Sequence, residues 1–309
     1  MNKRFFTFLS LCFLSIIYLF AKPELVVQDW HDGGPSVIEY SSDGRFLMTA
    51  GSNDIKVWDV ESGMLLKTFS QSAAHCERAH FYQGSKYLLI PFEEKSPCLY
   101  EIASGNLKPL DSIKSSIFAL SADENYLASY VVSLGKRSLE IYGGSSFNKL
   151  KSLDLVAYVS NLVFSRNSKV LAAISSDTGK RILAWYLNDD YRQESIVFER
   201  KIRTFDLSPD GSFLIVSFWD KNSEIIVYDL LEKKQITSFA SFGTYSGKVL
   251  FSQDGNLIFD MGSDGFAIRT FPDCKIQESV NDYMQDSAAF SPDGKTLAIL
   301  FYKKIQMFD

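Results

Sequence analysis

A polar turn flanked by two apolar strands recurs seven times along this chain. The first copy reads Tyr40-Ser41-Ser42-Asp43-Gly44-Arg45-Phe46-Leu47, the second Phe81-Tyr82-Gln83-Gly84-Ser85-Lys86-Tyr87-Leu88. Later copies start at Leu120, Phe164, Leu207, Phe251 and Phe290, so the starts lie 39 to 44 residues apart. A near-constant period of about 42 residues fits one propeller blade per copy. Within a copy, Asp-Gly suits a tight turn, because Gly accepts positive φ and Asp bonds its own backbone. The second strand, as in Phe213-Leu214-Ile215-Val216-Ser217-Phe218, is apolar on both faces, as a sheet sandwiched between two neighbours requires. A third strand follows (Ile55–Asp59, Ile225–Asp229), then a turn and a fourth (Met64–Phe69).

The seventh copy ends on its third strand, Ile305–Asp309, while an extra strand, Glu24–Trp30, precedes the first copy. The expected fold is therefore all-β: a seven-bladed β-propeller of four-stranded antiparallel blades. The N-terminal strand would complete the last blade and leave no open sheet edge. One domain is expected over residues 22–309.

Ahead of it, Lys3 and Arg4 precede an apolar run from Phe5 to Phe20. That run is short for a transmembrane helix and close to a signal-peptide core. Residues 1–21 read as a cleaved secretory signal, with an uncleaved anchor as the alternative. Cleavage would remove Lys3 and Arg4 and move the net charge from −5 to −7. A negative chain lacks the surplus of Lys and Arg that nucleic-acid binding needs. Three cysteines would remain, Cys76, Cys98 and Cys274, and an odd number cannot all pair within one chain.

The seven copies resemble the WD-repeat family of seven-bladed propellers over residues 24–309. The resemblance rests on the Ser-Pro-Asp-Gly turns at 208–211 and 291–294, on Asp54 ahead of Ile55-Lys56-Val57-Trp58-Asp59, and on the strand order. No copy contains the Gly-His pair; Trp30-His31 is the nearest approach. The turns are also similar to those of the periplasmic Tol-Pal propeller and of bacterial lactonase propellers. The resemblance implies a scaffold that binds partners, although a fold alone does not determine function.

Enzyme signatures are lacking. Gly243-Thr244-Tyr245-Ser246-Gly247-Lys248 is one residue short of a phosphate loop, and Val249 stands where Ser or Thr is required. His75, Cys76, His80 and Cys98 gather near blade two, but strands one and three are two strand spacings apart, so core and loop roles outweigh a metal or disulfide. Trp58 and Trp185 fall where other copies carry Tyr or Phe, and read as core. Asp43, Asp54, Asp210 and Asp293 read as turn residues rather than catalytic carboxylates. No cofactor and no metal site is expected.

In such a ring, the loops between strands two and three share one face with the links between blades. On that face they carry eight basic and five acidic residues. The candidate partner-binding residues are Lys136, Arg137, Lys180, Arg181, Trp219, Lys221, Tyr302, Lys303 and Lys304. Ordinary solvated loops and an interface for an acidic partner both fit this composition. The leading expectation is a non-enzymatic protein-interaction scaffold, periplasmic, cell-surface or secreted in a bacterium, and peripherally associated with its envelope. A lactonase-like hydrolase and a glycan-binding propeller are the alternatives. The hydrolase would need polar side chains converging on the channel.

Overall fold

The computed structural model describes residues 31, 34–70, 75–92, 95–115, 117–220, 223–243, 246–281, 285–301 and 304–308. Its strands form seven antiparallel sheets in which neighbours in sequence are neighbours in the sheet. Blade one is Val37–Tyr40, Phe46–Ala50, Asp54–Asp59 and Leu65–Ser70. Blades two to six repeat the four-strand meander, and the first strands of all seven blades gather around the axis. The seventh blade shows three strands among the described residues: Gln285–Phe290, Leu297–Phe301 and Lys304–Phe308. The expected closing strand, 24–30, lies outside the described residues, as does the proposed signal.

Each sheet is buried between its neighbours, and the apolar core is divided accordingly. Among the described residues there are seven clusters of buried side chains, each shared by two adjacent blades. One joins Ile174 and Ile182 of blade four to Phe205 and Val216 of blade five. Another joins Ile38, Tyr40 and Trp58 of blade one to Leu300, Ile305 and Met307 of blade seven. The ring is thus closed by packing between the first and last blades. The second strands explain this arrangement: Val170–Ser175 and Leu297–Phe301 are buried at every position. Fully burying one such side chain stabilises by roughly 1.5–3 kcal/mol. Fourth strands such as Lys149–Leu155 and Lys234–Ala240 are largely exposed and polar, as an outer edge should be.

The turns between strands one and two are built as their residues predict. Ser41, Ser121, Ser208, Ser252 and Ser291 each donate a hydroxyl to the Asp two residues on, at 2.6–2.7 Å. The same Ser oxygens accept the N–H five residues on. In blade four Asn167 takes the Asp role. Hydrogen bonds from Ser252 and Ser291 hold the Asp254 and Asp293 carboxyls below their ordinary value. The turn needs one residue at positive φ: Gly211 and Gly255 supply it in blades five and six, whereas Glu124 and Ser168 adopt it in blades three and four.

A bulge recurs where strand three meets strand four, just before Trp58, Tyr142, Tyr228 and Arg269. It adds local twist at the same station of four blades.

Candidate functional site

Two places in the ring collect chemistry. The first is the face formed by the loops between strands two and three and the blade-to-blade links. At blades three to five it exposes large side chains: Val132, Leu134, Val156, Tyr158, Val197 and Trp219. Leu134, at the hairpin tip of blade three, adopts positive φ and is fully exposed. Trp219 is 59% exposed and carries the Arg203 guanidinium 4.4 Å from its ring centre. Trp219, Lys201, Arg203 and the loop Asp177–Gly179 line a groove of about 420 Å³ between blades four and five.

The structure divides the expected binding residues. Arg137 stacks on Tyr158 at 3.9 Å and donates to the Val156 carbonyl at 3.0 Å. Its Nε and that of Arg181 are buried without a partner. Arg181 pairs with Asp177 at 3.7 Å, at the groove's edge next to Lys180. Lys136 is exposed at the blade-three hairpin. Lys304 belongs to blade seven, where it lies over the Phe301 ring. Lys221, Tyr302 and Lys303 lie outside the described residues. Sequence reasoning missed Lys201 and Tyr158, which sit in the links between blades, and Arg203, which sits in the first strand of blade five, rather than in the loops it surveyed.

The second place is the axial channel, a cavity of about 660 Å³ lined by the first strands and turns of all seven blades. It is not apolar. Glu39, His80 and Asp206 occupy the same station of their strands, one residue before Tyr40, Phe81 and Leu207. Glu39 bonds the His80 ring at 2.8 Å and accepts the Phe81 N–H at 3.0 Å. Asp206 accepts the N–H groups of Leu207 and Phe251 at 2.9 and 2.8 Å. Both carboxylates therefore tie their blade to the next one at the same register. Lys248 does likewise, donating to Ser287 Oγ at 2.9 Å and the Ala288 carbonyl at 3.0 Å. Glu124 accepts the Gln83 and Gly84 N–H groups from blade two.

Burial sets the electrostatics of these groups. It pushes the Asp206 carboxyl up to about 6 and pulls the Lys248 ammonium down to about 8. Burial also disfavours the His80 imidazolium, but the adjacent Glu39 carboxylate outweighs it and raises that group.

The structure places the His and Cys residues near blade two in different surroundings. Cys76 is buried in a short turn, Cys76–Arg78, within the core between blades one and two, where burial pushes its thiol up to about 12. His75 lies beside Glu77, while His80 turns into the channel. Cys76, Cys98 and Cys274 are free thiols. Among the described residues no group of three His, Cys, Asp or Glu side chains is placed to hold a metal.

Asp54 corrects one expectation. It joins no turn of the Ser-x-Asp type but opens a relay through blade one. His31 bonds Asp54 through Nδ1 at 2.5 Å and Thr49 through Nε2 at 2.8 Å, and the Trp58 indole N–H donates to Thr49 Oγ1 at 2.9 Å. A carboxylate only accepts, so Nδ1 carries the proton toward Asp54, and Thr49 Oγ1 accepts from the Trp58 indole. His31 thus makes buried polar contacts although no Gly precedes it. Trp58 and Trp185 are core residues, 2% and 1% exposed.

The family model described as "WD domain, G-beta repeat" matches residues 24–59, the stretch that holds this relay. The structure is a β-propeller, and residues 24–59 are similar to one WD repeat. The match reaches through the first three strands of blade one and stops before its fourth, Leu65–Ser70; the seven-bladed ring rests on the repeated sheets. No curated protein matches the chain. WD40-like propellers are commonly protein-interaction scaffolds and typically non-enzymatic.

Proposed function

We propose that this propeller is a non-enzymatic scaffold that binds an acidic, apolar-bearing protein segment across the loop face of blades three to five. The observation that carries the reading is the exposed Trp219 ring with Arg203 stacked on it, above a groove that Lys201 also lines. Large aromatic and Arg side chains are the anchors that dominate interfaces. Leu134, Val156 and Tyr158 extend the apolar surface toward blade three, and Arg137 adds charge beside them. A carboxylate-rich segment with apolar side chains complements both features.

The setting we propose is the bacterial cell envelope or its exterior, reached through residues 1–21 as an export signal. Lys3, Arg4 and the apolar run to Phe20 support it. Among the described residues no helix is long and apolar enough to cross a membrane.

The test is a cross-linked capture from envelope extract, with the captured protein identified, purified and titrated directly. Trp219→Ala should weaken binding by at least about 10-fold, as expected of an interface anchor. Reversing Lys180 and Lys201 to Glu should weaken it further at low salt and less at high salt, where charges are screened beyond about 8 Å. No specific partner, or a partner whose affinity both variants leave unchanged, would remove the proposal.

The channel keeps the hydrolytic alternative in view, because charged groups converge there. Yet Glu39 and Asp206 are each engaged by two hydrogen bonds from the protein itself, which favours a tying role over a catalytic one.

A further inference from the structure

The axial channel holds one donor and one acceptor that the protein leaves unused. Arg166 follows the first strand of blade four at the channel mouth, where it lines both the main cavity and a smaller one of about 240 Å³. It feels the field of Asp206, yet among the described residues it forms no hydrogen bond or ion pair. Gln253, two residues past the blade-six anchor Phe251, lines the main cavity and buries its Oε1 without a partner. An unmet buried acceptor costs roughly 1–3 kcal/mol unless something satisfies it. A guanidinium fork open to a cavity is the side chain best shaped for a carboxylate.

Charge decides what kind of anion would fit. The cationic side chains on the lining are His80, Arg166 and Lys248. Against them stand Glu39, Asp123, Glu124 and Asp206. The lining therefore carries a slight excess of negative charge, and a polyanion such as a phosphate ester would be repelled by the carboxylates around the guanidinium. A molecule with one carboxylate and one ammonium adds no net charge, and its N–H groups are the donors that Gln253 Oε1 and the open lone pairs of Asp206 call for. The cavity volume of about 660 Å³ lies within the usual range for small-molecule sites, roughly 300–1,000 Å³.

We infer that the channel is a binding site for a small zwitterion, an amino acid or short peptide, held through its carboxylate by Arg166 and through its ammonium by Gln253 and Asp206. The site is separate from the loop face and is open at the end where the Ser-x-Asp turns lie. Glu39, Asp206 and Lys248 keep their blade-tying contacts, so Arg166 and Gln253 are the groups free to serve the ligand.

Calorimetric titration of the full chain tests this with L-alanine, L-glutamate, L-alanyl-L-alanine and L-alanyl-L-alanine amide, and with inorganic phosphate. At least one of the free carboxylates should bind, and the amide should bind about 10-fold or more weakly than its parent dipeptide. Arg166→Gln should abolish binding, Arg166→Lys should weaken it, and Gln253→Leu should weaken it while leaving the melting temperature near that of the wild type. Silence from all the zwitterions would overturn the inference. So would equal binding of the dipeptide and its amide, phosphate binding as tight as the best zwitterion, or binding unaffected by Arg166→Gln.

Discussion

Arg269 lays its guanidinium against the Asp260 carboxylate at 3.1 Å, with side chains 8% and 0% exposed, at the stations that Trp58 and Thr49 occupy in blade one. Ser241 donates to the same carboxylate at 2.7 Å, and the Phe242 N–H at 3.1 Å. Arg269 also reaches the carbonyls of Ala240 and Cys274 and lies over the Phe239 ring. Blade six therefore uses a buried ion pair where blade one uses a chain of hydrogen bonds. Removing one member strands the other charge. Arg269→Met should cost about 3–5 kcal/mol. The double variant Arg269→Met, Asp260→Leu should recover much of that loss. Urea denaturation of the three proteins decides it, and a single variant as stable as the wild type would show that the pair is not structural.

The relay of blade one makes a second prediction. His31→Ala leaves Asp54 and Thr49 without their shared partner and should cost about 1–3 kcal/mol. Trp58→Phe keeps the ring but drops the indole donor and should cost less. Because the groups form one chain, the two losses should not add. Additive losses in a double-mutant cycle would mean that the links act separately.

Asp206 predicts a pH dependence of stability. Its folded value, about 6, lies above the ordinary 3.8, so the folded state binds this proton more tightly than the unfolded chain does. The resulting stabilisation is fully present below about pH 3.8 and is lost as pH rises through 6. Asp206→Asn removes the titration and keeps one acceptor oxygen. The wild type should therefore gain stability relative to the variant as pH falls from about 7.5 to about 4.5. Denaturation midpoints of both proteins at those two pH values test it; a constant difference would place Asp206 in a more solvated setting than the structure gives it.

Closure of blade seven by the N-terminal strand is our proposal for the edge of Lys304–Phe308, which has no partner strand beyond Leu297–Phe301 among the described residues. Deleting residues 22–30 should then lower the melting temperature by several degrees, since each kcal/mol is worth about 2–8 °C for a domain of ordinary size. The same deletion should promote association through the bared edge. An unchanged melting temperature would leave closure to the packing between blades one and seven alone.

Much of the fold was legible because its signals are local. The Ser-x-Asp-Gly turns act over five residues, and the all-apolar second strands report their burial directly. Seven repetitions multiply both signals, so blade count and strand order follow. Asp54 was misread for the opposite reason: its partner, His31, is 23 residues away. The channel groups left a weaker trace. Glu39, His80 and Asp206 share one station in their repeats, but the other blades carry Ala119, Val163, Leu250 and Ala289 there. A charge at that station becomes visible only when the copies are aligned on their anchors.

By itself the sequence determined the repeating blade, its turns and the sandwiched second strands, because these depend on neighbours within one period. Only the tertiary structure decided which charges meet. Arg166 and Gln253 come from blades four and six, and Glu39 and His80 from blades one and two. Ring closure brings side chains from separate repeats to one axis and one face, and their spacing along the chain holds no record of that meeting.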